Sequence, residues 1–344
     1  MSIIKSTIKS LALRATLGAT LGAALGSALV ASIVTAHAAE LKLAHFASTQ
    51  YPLHTGLFVP LSENIAKETG GSLTIRVYPG GELGAGPVEQ YDRVVDGVAD
   101  IAYTLPGYTA SQFKQTLLIE LPGVVSADQD PTAKFWAHVD LVDKEFRRTK
   151  LLGLWTNPAS VLLTNKKPIR SLKDVEGLKI RVSSRNVGRV AESWGATPVS
   201  MPITEVYNSL ATGVIDGVLV DSSVLDSFKL NEVANYLTKG MNSTSSPQML
   251  LMNRDSWNAL SEEEQAAMNK VSQGPLSEEG RRIQAEGVAA AEQNFAAMGK
   301  EIIELSAEEV AKFNAASDSL VATIVTELEA DGIKAQDYVE ALKN

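Results

Sequence analysis

The residues that could carry chemistry are few. After an N-terminal stretch considered below, the histidines are His45, His54 and His138, and none stands at the H-x-x-x-H spacing that sets two imidazoles on one helical face for zinc. The chain has no cysteine, which excludes thiolate nucleophiles, iron–sulfur clusters and sulfur-based zinc sites. No G-x-S-x-G elbow occurs, and no S-x-x-K stands at a strand-to-helix turn. Gly80-Gly81-Glu82-Leu83-Gly84-Ala85-Gly86 is glycine-rich, yet it lacks the G-K-[ST] ending and the G-x-G-x-x-G spacing of phosphate loops, so it reads as a turn. Asp221 and Asp226 could act as paired carboxylates, but their spacing imposes no geometry. Arg181 lies in Leu178-Lys179-Ile180-Arg181-Val182, where period-2 alternation buries Leu178, Ile180 and Val182 and turns Lys179 and Arg181 the other way. An arginine so placed is ordinarily a solvated charge. These residues assemble no catalyst, metal site or cofactor site, and the sequence predicts a protein that is not an enzyme.

The elements that must position such residues follow from length and pattern. At 344 residues the chain has room for two domains, each with its own core. A net charge of −9 argues against nucleic acid as a partner, since that would require a basic face. Residues 1–38 read as an export signal. Lys5, Lys9 and Arg14 precede an uncharged stretch from Ala15 to Thr35, and Ala36-His37-Ala38 offers small residues at the cleavage positions. That stretch, roughly 20 residues, is also long enough for a membrane anchor. The cleavage site directly before a strand-like start favours removal near Ala38 and a periplasmic destination.

Beyond it, strand and helix patterns alternate, which predicts parallel sheets flanked by helices. Leu41–His45, Leu73–Tyr78 and Asp100–Tyr103 are predicted strands separated by helical patterns, a β-α-β-α-β unit. A second series follows with strands at Leu151–Trp155, Val161–Thr164, Leu178–Val182, Pro198-Val199 and Gly217–Val220, and Pro247–Met252 reads as a strand returning to the first unit. The last part is helical, with S-x-x-E capping boxes at Ser261 and Ser306 and a long helical run from Leu276 to Met298 interrupted only by Gly280 and Gly287. At 1.5 Å per residue that helix would run roughly 30 Å, enough to lie across two lobes. The expected division is 39–160 with about 247–285 as the first lobe, and 161–246 with about 286–344 as the second.

Several segments, in this order, resemble the solute-binding proteins of TRAP transporters, the family typified by dicarboxylate binding. They are Leu73–Gly84, Gly97–Ala102, Lys167-Pro168-Ile169 leading into Leu172–Val182, Gly195–Pro198, Pro202–Tyr207 and Gly213–Gly217. The resemblance implies a two-lobed α/β fold of the periplasmic binding-protein (Venus flytrap) type, a cleft closing on an organic acid, and delivery to a sodium-driven permease with small and large membrane subunits. It also implies that Arg181 grips the ligand carboxylate, which a guanidinium can fork with two parallel N–H donors. Ser183, just past the same strand, is grouped with it. Members that bind sialic acid carry a second arginine on the preceding strand; Asn157–Thr164 has none, which points to a smaller or less polar acid.

Further candidates line the ends of strands. His45 and Phe46 follow the first strand, His45 being either a ligand contact or a satisfied loop histidine. Tyr103 and Thr104 end the third, at the edge where a two-lobed α/β protein opens. Trp155 and Asn157 end the strand that enters the second lobe, and Trp155 serves equally well as core. Val220 and Asp221 stand where the family carries a polar residue, Asp221 as a hydroxyl or amine contact or as a helix N-cap. Two other functions fit the same architecture: a sensory ligand-binding subunit, and a two-lobed hydrolase or lyase.

Overall fold

Strands form where the sequence alternates or runs apolar, and they gather into two sheets. The structure is a computed structural model and describes residues 39–126 and 128–344. The expected export segment 1–38 lies outside the described residues. The strands are β1 Ala39–Ala44, β2 Leu73–Tyr78, β3 Ile101–Thr104, β4 Thr149–Thr156, β5 Val161–Thr164, β6 Lys179–Val182, β7 Thr197–Ser200, β8 Gly217–Val220, β9 Tyr236–Lys239, β10 Pro247–Asn253 and β11 Glu301–Glu304. The first sheet has the order β2-β1-β3-β10-β4 and the second β11-β9-β5-β8-β6-β7. β1 is parallel to β2 and β3, as the β-α-β-α-β reading requires, and β10 returns antiparallel between β3 and β4.

Burial follows position in the sheet. Central strands β3 and β10 are buried along their whole length, while the edge strand β7 exposes Thr197 and Ser200. Two apolar clusters pass through both sheets. Leu250, Met252, Val218 and Val220 belong to one and Met249, Leu251 and Leu219 to the other, so each strand's alternation feeds both.

The chain leaves the first sheet after Thr156, enters the second at Val161, and comes back between Lys239 and Pro247. These two crossings pair with each other. Asn157 N donates to Ser246 O at 3.1 Å and Ser160 N to Thr244 O at 2.8 Å. The helix Gln273–Ala297 bridges the sheets, as its length predicts. It packs on β4 and on the turn Ser222–Val224. Two of its three glycines explain how closely it does so: a Cβ at Gly280 would stand 2.8 Å from the Trp155 ring, and one at Gly287 3.3 Å from Ser223 Cβ.

The Ser261 capping box closes reciprocally with Glu264. Ser306 caps the N–H of Glu309, but the Glu309 carboxylate accepts from Leu172 N at 2.8 Å and tethers its helix to a distant turn instead. The helix Ala335–Lys343 packs against Thr116–Glu120 and the helix Pro131–Ala137, which itself lies on β4. Tyr338, Val339 and Leu342 form the apolar stripe that this packing covers. No helix among the described residues is long and apolar enough to cross a membrane.

Candidate functional site

Arg181 sits on β6, between β7 and β8, and is only 2% exposed. Alternation therefore turns it away from Ile180 as read, but into the molecule and not into solvent. Its Nε donates to Met201 O at 2.9 Å and its Nη2 to the Tyr108 hydroxyl at 3.4 Å. No carboxylate forms an ion pair with it among the described residues. Burial lowers its pKa, the nearby Tyr108 opposing, and a guanidinium stays protonated through such a shift. An unpaired buried cation is costly, and the site is electrostatically complementary to an anion.

Tyr108 reaches Arg181 from the other sheet. It stands in the turn Pro106–Thr109 just after β3, and its hydroxyl oxygen also accepts from Ile203 N at 3.2 Å. Gly107 lets this turn approach: a Cβ there would lie 2.9 Å from Ser184 Cβ and 3.1 Å from Ser183 O.

Between the sheets lies a cleft whose lining residues border about 460 Å³ of non-atom space, open solvent at its mouth included. Five aromatic rings line it: Phe46, Tyr51, Tyr103, Tyr108 and Phe228. Phe46 stacks on Tyr103 with centroids 5.3 Å apart. Leu105, Ile203, Leu219, Val220 and Val224 extend the apolar wall. Arg181 and Ser183 add polarity on β6 and just beyond it, and Asn157, Ser160 and Ser246 come from the crossing segments.

Asp221 takes the N-cap role at the turn Ser222–Val224, and it lines the cavity as well. Its carboxylate accepts from Asn157 Nδ2 at 2.6 Å, from Ser223 N at 3.2 Å and from the Ser223 hydroxyl. Burial raises its pKa and these hydrogen bonds partly oppose that. Behind the aromatic wall runs a second polar network. Tyr51 and Tyr103 hydroxyls meet at 3.1 Å, Tyr103 donates to Gln248, and Gln284 Nε2 donates to Gln248 Oε1 at 3.2 Å.

Seven of the residues singled out from the sequence therefore converge on the cavity: Phe46, Tyr103, Asn157, Arg181, Ser183, Val220 and Asp221. Three do not line it. His45 is the neighbour of Phe46 and points the other way, where its Nε2 meets His54 Nδ1 at 2.9 Å; burial, then the second ring, lowers its pKa to about 3. Thr104 is buried on the face of β3 opposite Tyr103. Trp155 takes the core role. It stacks on Tyr103 from behind and donates to Gln284 Oε1 at 2.7 Å. Tyr108 escaped the reading although it lies four residues beyond a strand end, in a Pro-Gly turn that could have marked it. Tyr51, Phe228, Ser246 and Gln248 carry no local signal, since only long-range packing brings them here.

The chain from residue 43 to residue 328 matches the family model of the bacterial extracellular solute-binding proteins, family 7. A TRAP solute-binding protein from a marine metagenome, described as specific for aromatic acid ligands and solved with metahydroxyphenylacetate, superposes with a TM-score of 0.84 at 28% identity, over 88% of this chain and 97% of that one. A TRAP solute-binding protein of Rhodoferax ferrireducens, solved with copurified benzoate, gives 0.84 at 27% identity, over 88% and 96%. The ectoine/5-hydroxyectoine-binding periplasmic protein UehA of Ruegeria pomeroyi is 29% identical over 208 residues, 58% of this chain; the match spans 60% of that relative's length. The two-sheet architecture is that of the two-lobed TRAP solute-binding proteins. With most of its length matched, the chain belongs to family 7 of the bacterial extracellular solute-binding proteins.

Proposed function

We propose that this protein captures a small carboxylate with an apolar, ring-bearing body between its two lobes and delivers it to a sodium-driven TRAP permease made of one small and one large membrane subunit. The protein acts in the periplasm after its N-terminal segment is removed near Ala38. The observation that carries this reading is the buried Arg181 guanidinium, without a carboxylate partner among the described residues, on a cavity walled by five aromatic rings. The proteins solved with benzoate and metahydroxyphenylacetate support the choice of an aromatic body. The lobes correspond to the two sheets, joined by the crossings at 157–160 and 240–246.

Binding works by population shift. Ligand contacts from both lobes favour the closed form over the open one. Arg181 forks the carboxylate from the second lobe. Phe46 packs against the ring from the first, backed by Tyr103, and Tyr108 spans the gap. Closure excludes water and strengthens the ion pair. The guanidinium–carboxylate contact supplies roughly 1.5–3 kcal/mol of the about 8 kcal/mol that micromolar affinity requires, and the aromatic walls supply the rest.

Calorimetry and thermal shift with benzoate, hydroxybenzoates, mandelate, short dicarboxylates and ectoine test this. Carboxylates with an aromatic ring are expected to raise the melting temperature most. Arg181→Ala is expected to weaken binding by about 10- to 150-fold without unfolding the protein, and Arg181→Lys to restore only part of it, because it keeps the charge and loses the fork. Unchanged affinity in Arg181→Ala would overturn the assignment.

A further inference from the structure

The buried polar side-chain atoms of the residues that line the cavity are almost all used. The Ser183 and Ser246 hydroxyls meet at 3.2 Å, those of Ser160 and Thr244 at 3.2 Å, and those of Tyr51 and Tyr103 at 3.1 Å. Asn157 Oδ1 is the exception: among the described residues it has no hydrogen-bond partner. Asn157 is 8% exposed and lines the cavity. Its amide is not free to turn. The backbone N–H is held by Ser246 O, and Nδ2 donates to Asp221 Oδ2 at 2.6 Å, which leaves the carbonyl oxygen as the unfilled group. Asp221 is in turn held by Ser223, so the acceptor is oriented by a built framework of side chains. A buried acceptor without a partner is costly, and a ligand that brings a donor removes that cost.

We infer that the ligand carries a hydrogen-bond donor, a hydroxyl or an amino group on its ring, which Asn157 Oδ1 accepts while Arg181 takes the carboxylate. The inference rests on the carboxylate reading above and adds a second point of recognition to it. An acid without the donor leaves Asn157 unpaired, so the site discriminates by a missing hydrogen bond and not by size. Asp221 acts here as a positioning residue that fixes which atom of the amide faces the ligand.

Calorimetry on the purified protein with benzoate, the three monohydroxybenzoates and the three aminobenzoates decides this. At least one substituted acid is expected to bind about tenfold or more tighter than benzoate, the effect of completing one buried hydrogen bond. If the hydroxy acids show the preference the donor is a hydroxyl, and if the amino acids show it the donor is N–H. In Asn157→Ala and Asn157→Ser the preference, read as the ratio of each substituted acid's affinity to that of benzoate in the same variant, is expected to collapse to about twofold or less. Equal affinities for all seven acids in the wild type would overturn the inference, as would a preference that survives in either variant, or failure of all seven to bind. If a variant fails to fold, the wild-type comparison still decides. Arg181→Ala separates the two readings. If it abolishes binding of acids that show no preference, only the donor inference is lost. If it leaves binding intact, the carboxylate reading falls first.

Discussion

Arg181 is an investment in binding at the expense of stability. Its guanidinium is buried with two neutral hydrogen-bond partners, and no carboxylate pairs with it among the described residues. Replacing a poorly compensated buried charge by an apolar side chain of similar length commonly stabilises a fold. Arg181→Met is therefore expected to raise the stability of the ligand-free protein by about 1 kcal/mol or more in urea unfolding while it abolishes carboxylate binding. A purely structural arginine would show the opposite sign. His45 makes the contrasting case: a buried imidazole paired to His54 and held neutral, with its pKa lowered to about 3, so it does not titrate near neutral pH.

At the scale of elements, close approach decides what each helix and turn can carry. Gly280→Ala gains about 1 kcal/mol of helix propensity, but its Cβ would meet the Trp155 ring at 2.8 Å. Trp155 is fully buried and stacked on Tyr103, so it cannot yield. Overpacking of that kind costs about 1–3 kcal/mol, and Gly280→Ala is expected to be net destabilising in urea unfolding. Gly274, near the start of the same helix, has no atom within 4 Å of its would-be Cβ. Gly274→Ala is expected to stabilise by up to about 1 kcal/mol. Tyr108 links the two lobes through the Arg181 guanidinium and Ile203 N. Tyr108→Phe is expected to weaken ligand binding about five- to tenfold in calorimetry, one or two hydrogen bonds' worth, with the fold retained.

For the whole molecule, pH acts through Glu120. Its carboxylate is 1% exposed, and it accepts from the Ser184 hydroxyl at 2.6 Å at the N-terminus of helix Arg185–Ser193, while its carbonyl accepts from Ser245 N on the returning crossing. It thus joins the first lobe's connecting turn to both the second lobe and the crossing. Burial raises its pKa to about 8, against the hydrogen bond from Ser184. The folded state then binds this proton more tightly than the unfolded chain does. Its contribution to stability is complete below the unfolded value near 4.5 and is lost as pH rises toward 8. Glu120→Gln is expected to flatten this slope, with a gain over wild type at pH 9 on the order of a few kcal/mol and little difference at pH 4, read by urea denaturation at the two pH values.

Much of this protein follows from patterns a few residues long. Period-2 alternation set the face that Arg181 occupies, the S-x-x-E spacing marked two helix starts, and the run from Leu276 predicted the helix that bridges the sheets. Those features are local because the backbone geometry that produces them repeats every two to four residues. The cavity is not local. Tyr103 bonds Gln248 across 145 positions and Trp155 bonds Gln284 across 129, and such pairings leave no mark on either neighbourhood. So alternation placed Arg181 on its strand and face, and it was the resemblance to TRAP solute-binding proteins that singled it out. Only packing of the two sheets decided that Trp155 stands behind the wall, that His45 turns away, and that Asn157 meets Asp221 with one oxygen left over.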